Sequence, residues 1–79
     1  IQVSVYPNPA SNKLNIHLSK KSECKAAIFS ITGQSITQTV TFTDDVSIDT
    51  KHIPAGLYIV NVVDAKTNQK ISKKLIITN

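Results

Sequence analysis

The sequence predicts an all-β domain, a sandwich of about seven short antiparallel strands. Three observations predict it. Apolar residues recur with period two along most of the chain. Turn residues punctuate the chain every ~8–12 positions, as in sandwiches. No window combines helical caps with a 3.6-residue period.

The strands can be justified in order. Val3 and Val5 alternate with Gln2 and Ser4. Leu14, Ile16 and Leu18 alternate with Asn15, His17 and Ser19, the pattern of a half-buried strand. Ile36, Val40 and Phe42 share one parity while Thr37, Thr39 and Thr41 take the other, so a strand is expected through this stretch. Thr is β-branched and suits a solvated sheet face. Val46 and Ile48 are flanked in the same way by Ser47 and Asp49. The segments 26–31, 57–63 and 75–77 are apolar on both parities, which fits central strands or strands with a second covered face. Ile59, Val60, Val62 and Val63 are β-branched and disfavour helix.

Punctuation falls between these runs. Pro7-Asn8-Pro9 is expected to form a rigid corner after the first strand, because proline fixes φ and Asn8 bonds backbone locally. Thr32-Gly33-Gln34 places a glycine where a hairpin needs positive φ. Pro54-Ala55-Gly56 turns the chain before the most apolar strand, and residues 64–69 form a polar loop before the last one.

At 79 residues this is one small domain, residues 1–79, with no internal repeat or low-complexity stretch. Such a chain buries only ~60% of its unfolded surface, leaving little room for a deep catalytic pocket. A hydrophobic fraction of 41% is too high for a disordered tail. No apolar run approaches the ~20 residues of a membrane helix, so the domain is not expected to span a membrane. Ile1 opens almost directly into a strand without an initiator Met, so the chain is expected to be a fragment of a larger secreted protein.

The net charge of +4 comes from nine lysines and no arginine. The lysines are scattered, and arginine is the residue suited to bidentate phosphate and base contacts, so nucleic acid is not expected as a partner. Cys24 is alone, which excludes an intramolecular disulfide or a Cys-based metal cluster and leaves it a small hydrophobe. His17 and His52 lack the spacing of a zinc site, and Asp44-Asp45 lacks the alternating ligands of a calcium loop. Neither Gly33 nor Gly56 belongs to a phosphate loop, and no Ser occupies a Gly-x-Ser-x-Gly elbow. No enzyme activity, metal or cofactor is therefore expected. Phe29 and Phe42 are expected to fill the core.

Three motifs remain. They are Tyr6-Pro7-Asn8-Pro9-Ala10-Ser11-Asn12 at the front and Phe29-Ser30-Ile31-Thr32-Gly33-Gln34 in the middle. Gly56-Leu57-Tyr58 then precedes a final strand, Lys73-Lys74-Leu75-Ile76-Ile77. In this order the set resembles the C-terminal sorting domain of the type IX secretion system of Bacteroidetes (the Por secretion system family). The resemblance runs from Tyr6 to Ile77, nearly the whole chain.

The resemblance implies an immunoglobulin-like sandwich and a signal rather than a catalyst. Proteins with such a domain reach the periplasm by an N-terminal signal peptide. The outer-membrane translocon then recognises the domain and delivers the protein to the cell surface or outside. A sortase-like cysteine peptidase commonly removes it, at a point that would lie at or before Ile1. The partners implied are that translocon, that peptidase and an N-terminal cargo domain in the same chain. Gly56, Tyr58, Lys73, Lys74, Leu75, Ile76 and Ile77 match the family's terminal motifs and become candidates for translocon recognition. Pro7, Asn8, Pro9 and Gly33 become structural corners. Many members end in Lys or Arg, whereas this chain ends Thr78-Asn79.

A terminal strand at a sheet edge can pair with a receptor through its backbone, with alternate side chains adding selectivity. Lys73 and Lys74 would also discourage edge-to-edge aggregation. Gly56 has a competing explanation, in which it closes a turn and Tyr58 packs over it. The alternative function is an immunoglobulin-like adhesion or carbohydrate-binding module, which could sit anywhere in its parent protein.

Overall fold

The computed structural model describes residues 2–78. Ile1 and Asn79, on which the expectations about cleavage and the terminal basic residue fall, lie outside the described residues. Among the described residues seven strands form: β1 (Val3–Tyr6), β2 (Lys13–Leu18), β3 (Cys24–Ser30), β4 (Val40–Phe42), β5 (Asp45–Asp49), β6 (Gly56–Asp64) and β7 (Lys70–Ile77). They make a three-stranded sheet ordered β1-β2-β5 and a four-stranded sheet ordered β4-β3-β6-β7, antiparallel throughout. Consecutive strands pair as hairpins or cross between sheets, the connectivity of an immunoglobulin-like sandwich. Among the described residues no helix is long and apolar enough to cross a membrane.

The alternation read from the sequence decides which side chains meet between the sheets. Leu14, Ile16, Leu18 and Ile48 come from the smaller sheet; Cys24, Ala26, Ile28, Phe42, Val60, Val62, Leu75 and Ile77 come from the larger. Cys24 is buried, as expected of a small hydrophobe, and burial pushes its thiol pKa up, with the Asp64 charge adding to the rise. Ala10, in the β1–β2 connection, is also fully buried against this core.

Two expectations are corrected. Phe42 is in the core, but Phe29 lies on the opposite parity of β3 and is half-buried on the outer face of the larger sheet. The strand expected across residues 36–42 is interrupted. After the Gly33 turn the chain pairs briefly with β3, with a Phe29–Ser35 bridge and Ile36 N–H donating to Ile28 C=O at 2.9 Å. It then departs and rejoins as β4. The reason is local: Ile28 N–H donates to the Thr37 hydroxyl at 3.0 Å, so a side chain replaces a ladder carbonyl.

The turns behave as their residues dictate. Gly33 has φ of 93°, and its N–H closes onto Ser30 C=O at 3.0 Å. At the β6–β7 turn Asn68 takes the left-handed conformation, with φ of 59°, which asparagine tolerates. Asp64, buried at the start of that turn, accepts from Lys66 N–H at 2.9 Å and from the Ser22 hydroxyl at 3.1 Å. These bonds to Lys66 and Ser22 hold its carboxyl below its ordinary pKa.

Candidate functional site

The candidate residues converge on one end of the larger sheet. In the β6–β7 ladder, Gly56 opposes Ile77, Leu57 opposes Ile76, Tyr58 opposes Leu75 and Ile59 opposes Lys74. Ser30 opposes Tyr58 on the other side of β6, so the Gly33 turn lies at this same end. Motifs separated by more than twenty positions in sequence thus form a single corner.

The front motif joins it. Tyr6-Pro7 and Asn8-Pro9 are both cis. The segment lies along the outer edge of β7, where the Asn8 carboxamide takes the place of a strand. Its Nδ2 donates to Lys74 C=O and its Oδ1 accepts from Ile76 N–H, each at 3.1 Å. Ala10 continues the contact in a parallel bridge to Ile77. Ala10 N–H donates to Ile76 C=O at 2.8 Å, and Thr78 N–H donates to Ala10 C=O at 2.9 Å. Its place between two prolines predicts that Asn8 bonds backbone locally; its partners are instead 66 and 68 positions away.

This arrangement limits strand pairing by a receptor. The outward backbone groups of β7 belong to its even-numbered residues, and those from Lys74 C=O to Thr78 N–H are already used. Among the described residues, no segment outside the sheet bonds the backbone of Lys70 or Ser72. The edge is therefore closed at its C-terminal half and open at its N-terminal half.

The side chains of the terminal motif divide by parity. Leu75 and Ile77 are 0% and 1% exposed and belong to the core. Ile76 and Lys74 point to the outer face, whereas Lys73, on the inner parity, emerges at the rim beside Gln2 and Ser4 of the other sheet. The lysine pair is thus split between two surfaces.

Gly56 and Tyr58 form a second unit. The Tyr58 hydroxyl donates to Pro54 C=O at 2.7 Å, four residues upstream. This is the arrangement of a tyrosine corner, in which a tyrosine near the start of a strand ties down the preceding crossover. Gly56 has φ of 157°, and a Cβ there would sit 3.6 Å from the Tyr58 ring. The Gly-x-Tyr spacing therefore has a folding role, in which the φ of Gly56 favours glycine and Tyr58 ties down the crossover.

Away from this corner, His17, Asp44 and Asp45 gather on the smaller sheet with ligand atoms within 4.8 Å of one another. His17 Nδ1 is hydrogen-bonded to Asp45 and lies 4.0 Å from Asp44. The Asp45 bond raises the His17 pKa above its ordinary value, and the charges of both carboxylates add to it. All three side chains are at least partly exposed and the histidine is already partnered, which is the arrangement of a surface ion pair.

A sandwich whose front corner is clamped to its terminal strand, with a tyrosine corner beside it, is an immunoglobulin-like module built around its C-terminal hairpin. Residues 4–78 match the family model of the secretion system C-terminal sorting domain, and the chain belongs to that family. It is a type IX sorting signal, of a family that is not catalytic, and such a signal directs secretion to the cell surface or outside. It is 34% identical over 76 residues to an endo-acting ulvan lyase of Formosa agariphila. That match covers 95% of this chain but 14% of the lyase.

Proposed function

We propose that residues 1–79 act as one sorting unit, read by the outer-membrane translocon at the corner formed by the β6–β7 hairpin and the Pro7-Asn8-Pro9 segment. In this reading an N-terminal cargo in the same chain crosses the periplasm with the domain attached. A sortase-like cysteine peptidase then removes the domain at the surface. The observation that carries the reading is the convergence of all three family motifs on one end of one sheet.

The roles within the corner differ. Leu75 and Ile77 hold the strand in place from inside the core, and Gly56 and Tyr58 hold the crossover. Lys73, Lys74 and Ile76 are the members of the terminal motif whose side chains a receptor can touch. The backbone of Lys70 and Ser72 offers a further short open edge at the other end of β7, outside this corner.

A fusion of the 79-residue chain behind a periplasmic reporter tests this in a host with type IX machinery. Deleting residues 72–79 is expected to abolish export, but it also removes Leu75 and Ile77 from the core. The decisive variant is Lys73→Ser with Lys74→Ser, which leaves the core intact. Reduced export with unchanged melting supports the reading. Full export of that variant would remove the lysines from it, and no export of the unaltered fusion would overturn it entirely.

A further inference from the structure

The outer face of the four-stranded sheet carries a cluster of apolar side chains where a solvated face would be polar. Strand alternation puts Leu57, Ile59, Asn61 and Val63 of β6 on this face. They meet Lys25, Ala27 and Phe29 of β3 and Lys70, Ser72, Lys74 and Ile76 of β7. The register arranges them in cross-strand rows. Leu57 lies beside Ile76, and Ile59 lies between Phe29 and Lys74. Asn61 lies between Ala27 and Ser72, and Val63 between Lys25 and Lys70. One end of the face is thus hydrophobic, and the other carries two lysines around a valine.

Leu57, Ile76 and Ile31 at the hydrophobic end are 45%, 47% and 63% exposed. Clustered exposure of this kind marks an interaction surface, whereas single exposed apolar residues do not. The face is also shaped. A depression of about 370 Å³ lies between Phe29, Ile31 and Ile59, and another of about 330 Å³ lies over Ala27, Val63 and the two lysines. Ser72 donates to Asn61 Oδ1 at 2.6 Å between them, which leaves the Asn61 amide N–H groups free to bond a partner.

Charge selects the occupant. Within β3, β6 and β7 no outward residue is acidic, while Lys25, Lys70 and Lys74 all lie there; Glu23, exposed just before β3, is a carboxylate at the margin, so the face is net positive. The outward face of the smaller sheet carries Asp45 and Asp49 instead. A second copy docked face to face would oppose two surfaces that each carry three lysines, with Glu23 a carboxylate at the margin of each. A cargo preceding β1 joins the domain at the other sheet.

We infer that this outer face is a docking surface for a protein of the secretion machinery that presents an apolar patch beside a cluster of carboxylates. The inference rests on the sorting reading above and extends it. The surface contacted is the sheet face centred on Leu57, Ile59 and Phe29, of which Ile76 and Lys74 form the margin.

The reporter fusion tests it with two independent variants. Leu57→Thr with Ile76→Thr replaces the exposed cross-strand apolar pair by residues that keep β propensity. Lys25→Glu with Lys70→Glu reverses the charge of the exposed lysine row and leaves the Leu57, Ile59, Phe29 and Ile76 side chains unaltered. Each is expected to lower the exported fraction about tenfold, with the unexported reporter retained in the periplasm and the domain melting as before. Export of the unaltered fusion together with undiminished export of both variants overturns the inference and leaves the sorting reading standing. Failure of the unaltered fusion overturns the sorting reading itself. If Leu57→Thr, Ile76→Thr proves unfolded, the charge-reversal variant decides alone. Sedimentation of the unaltered chain supplies the remaining outcome: a dimer that Ile76→Thr dissociates assigns the face to a second copy and overturns the inference.

Discussion

The side-chain oxygen of Asn8 accepts the backbone N–H of Ile76 at 3.1 Å, across 68 positions of sequence. With the companion bond from Nδ2 to Lys74 C=O, one carboxamide closes part of an otherwise open strand edge. Unpaired edges invite association with other chains, so this contact both anchors the terminal strand and shields it.

Asn8→Ala should therefore destabilise the domain by about 1–2 kcal/mol, the typical net worth of two exposed hydrogen bonds. Urea unfolding measures the loss. Hydrogen exchange at the Ile76 amide should accelerate more than exchange at buried positions of β6. Asn8→Asp retains the acceptor but loses the donor to Lys74 C=O, so it should retain protection at Ile76 better than Asn8→Ala does.

The tyrosine corner predicts coupling between Gly56 and Tyr58. Tyr58→Phe removes the bond to Pro54 C=O and should cost about 1 kcal/mol. Gly56→Ala places a side chain at a φ that L residues rarely adopt and should cost about 1 kcal/mol. A double-mutant cycle should give a non-additive pair. Export should fall in parallel with melting temperature. Loss of export at unchanged melting would instead assign Gly56 to direct recognition.

Asp64 makes stability depend on acid. Its folded pKa is depressed by bonds from Lys66 N–H and the Ser22 hydroxyl. The unfolded state therefore binds a proton more readily, and the Asp64 contribution is present above the ordinary carboxylate pKa. It is lost as pH falls through the lower, folded value. Asp64→Asn should lower the melting temperature at neutral pH and flatten its fall below pH ~4.

His17 has the opposite sign. Its pKa is raised by the bond to Asp45, so its contribution is fully present below the ordinary histidine pKa and is lost as pH rises through the folded value. His17→Gln should lower the melting temperature at pH ~6 and leave it nearly unchanged at pH ~9. Because the pair is exposed, the difference should shrink in high salt.

How much of this was legible in the sequence follows from the range of each interaction. Strand alternation is local, so the inward set of Leu14, Ile16 and Leu18 could be read directly. The Gly33 and Pro54–Gly56 turns were legible because glycine and proline restrict or free their own backbone. Phe29 was misplaced because β3 is apolar on both parities, and such a run does not say which side faces the core. The break after Ile36 was hidden because it depends on the Thr37 hydroxyl reaching a ladder N–H of another strand. The motifs marked the candidate residues, but not that Leu75 and Ile77 would be interior while Lys73 and Lys74 parted to different surfaces.

Fold class, turn positions and membership of a sorting-domain family follow from residue type and spacing along the chain. That Asn8 serves the last strand and Tyr58 the Pro54 carbonyl emerges when the strands are brought together. The same structure gathers exposed apolar residues and lysines on the outside of the larger sheet. These depend on sheet order and register, which are set by how strands far apart in the chain share one core.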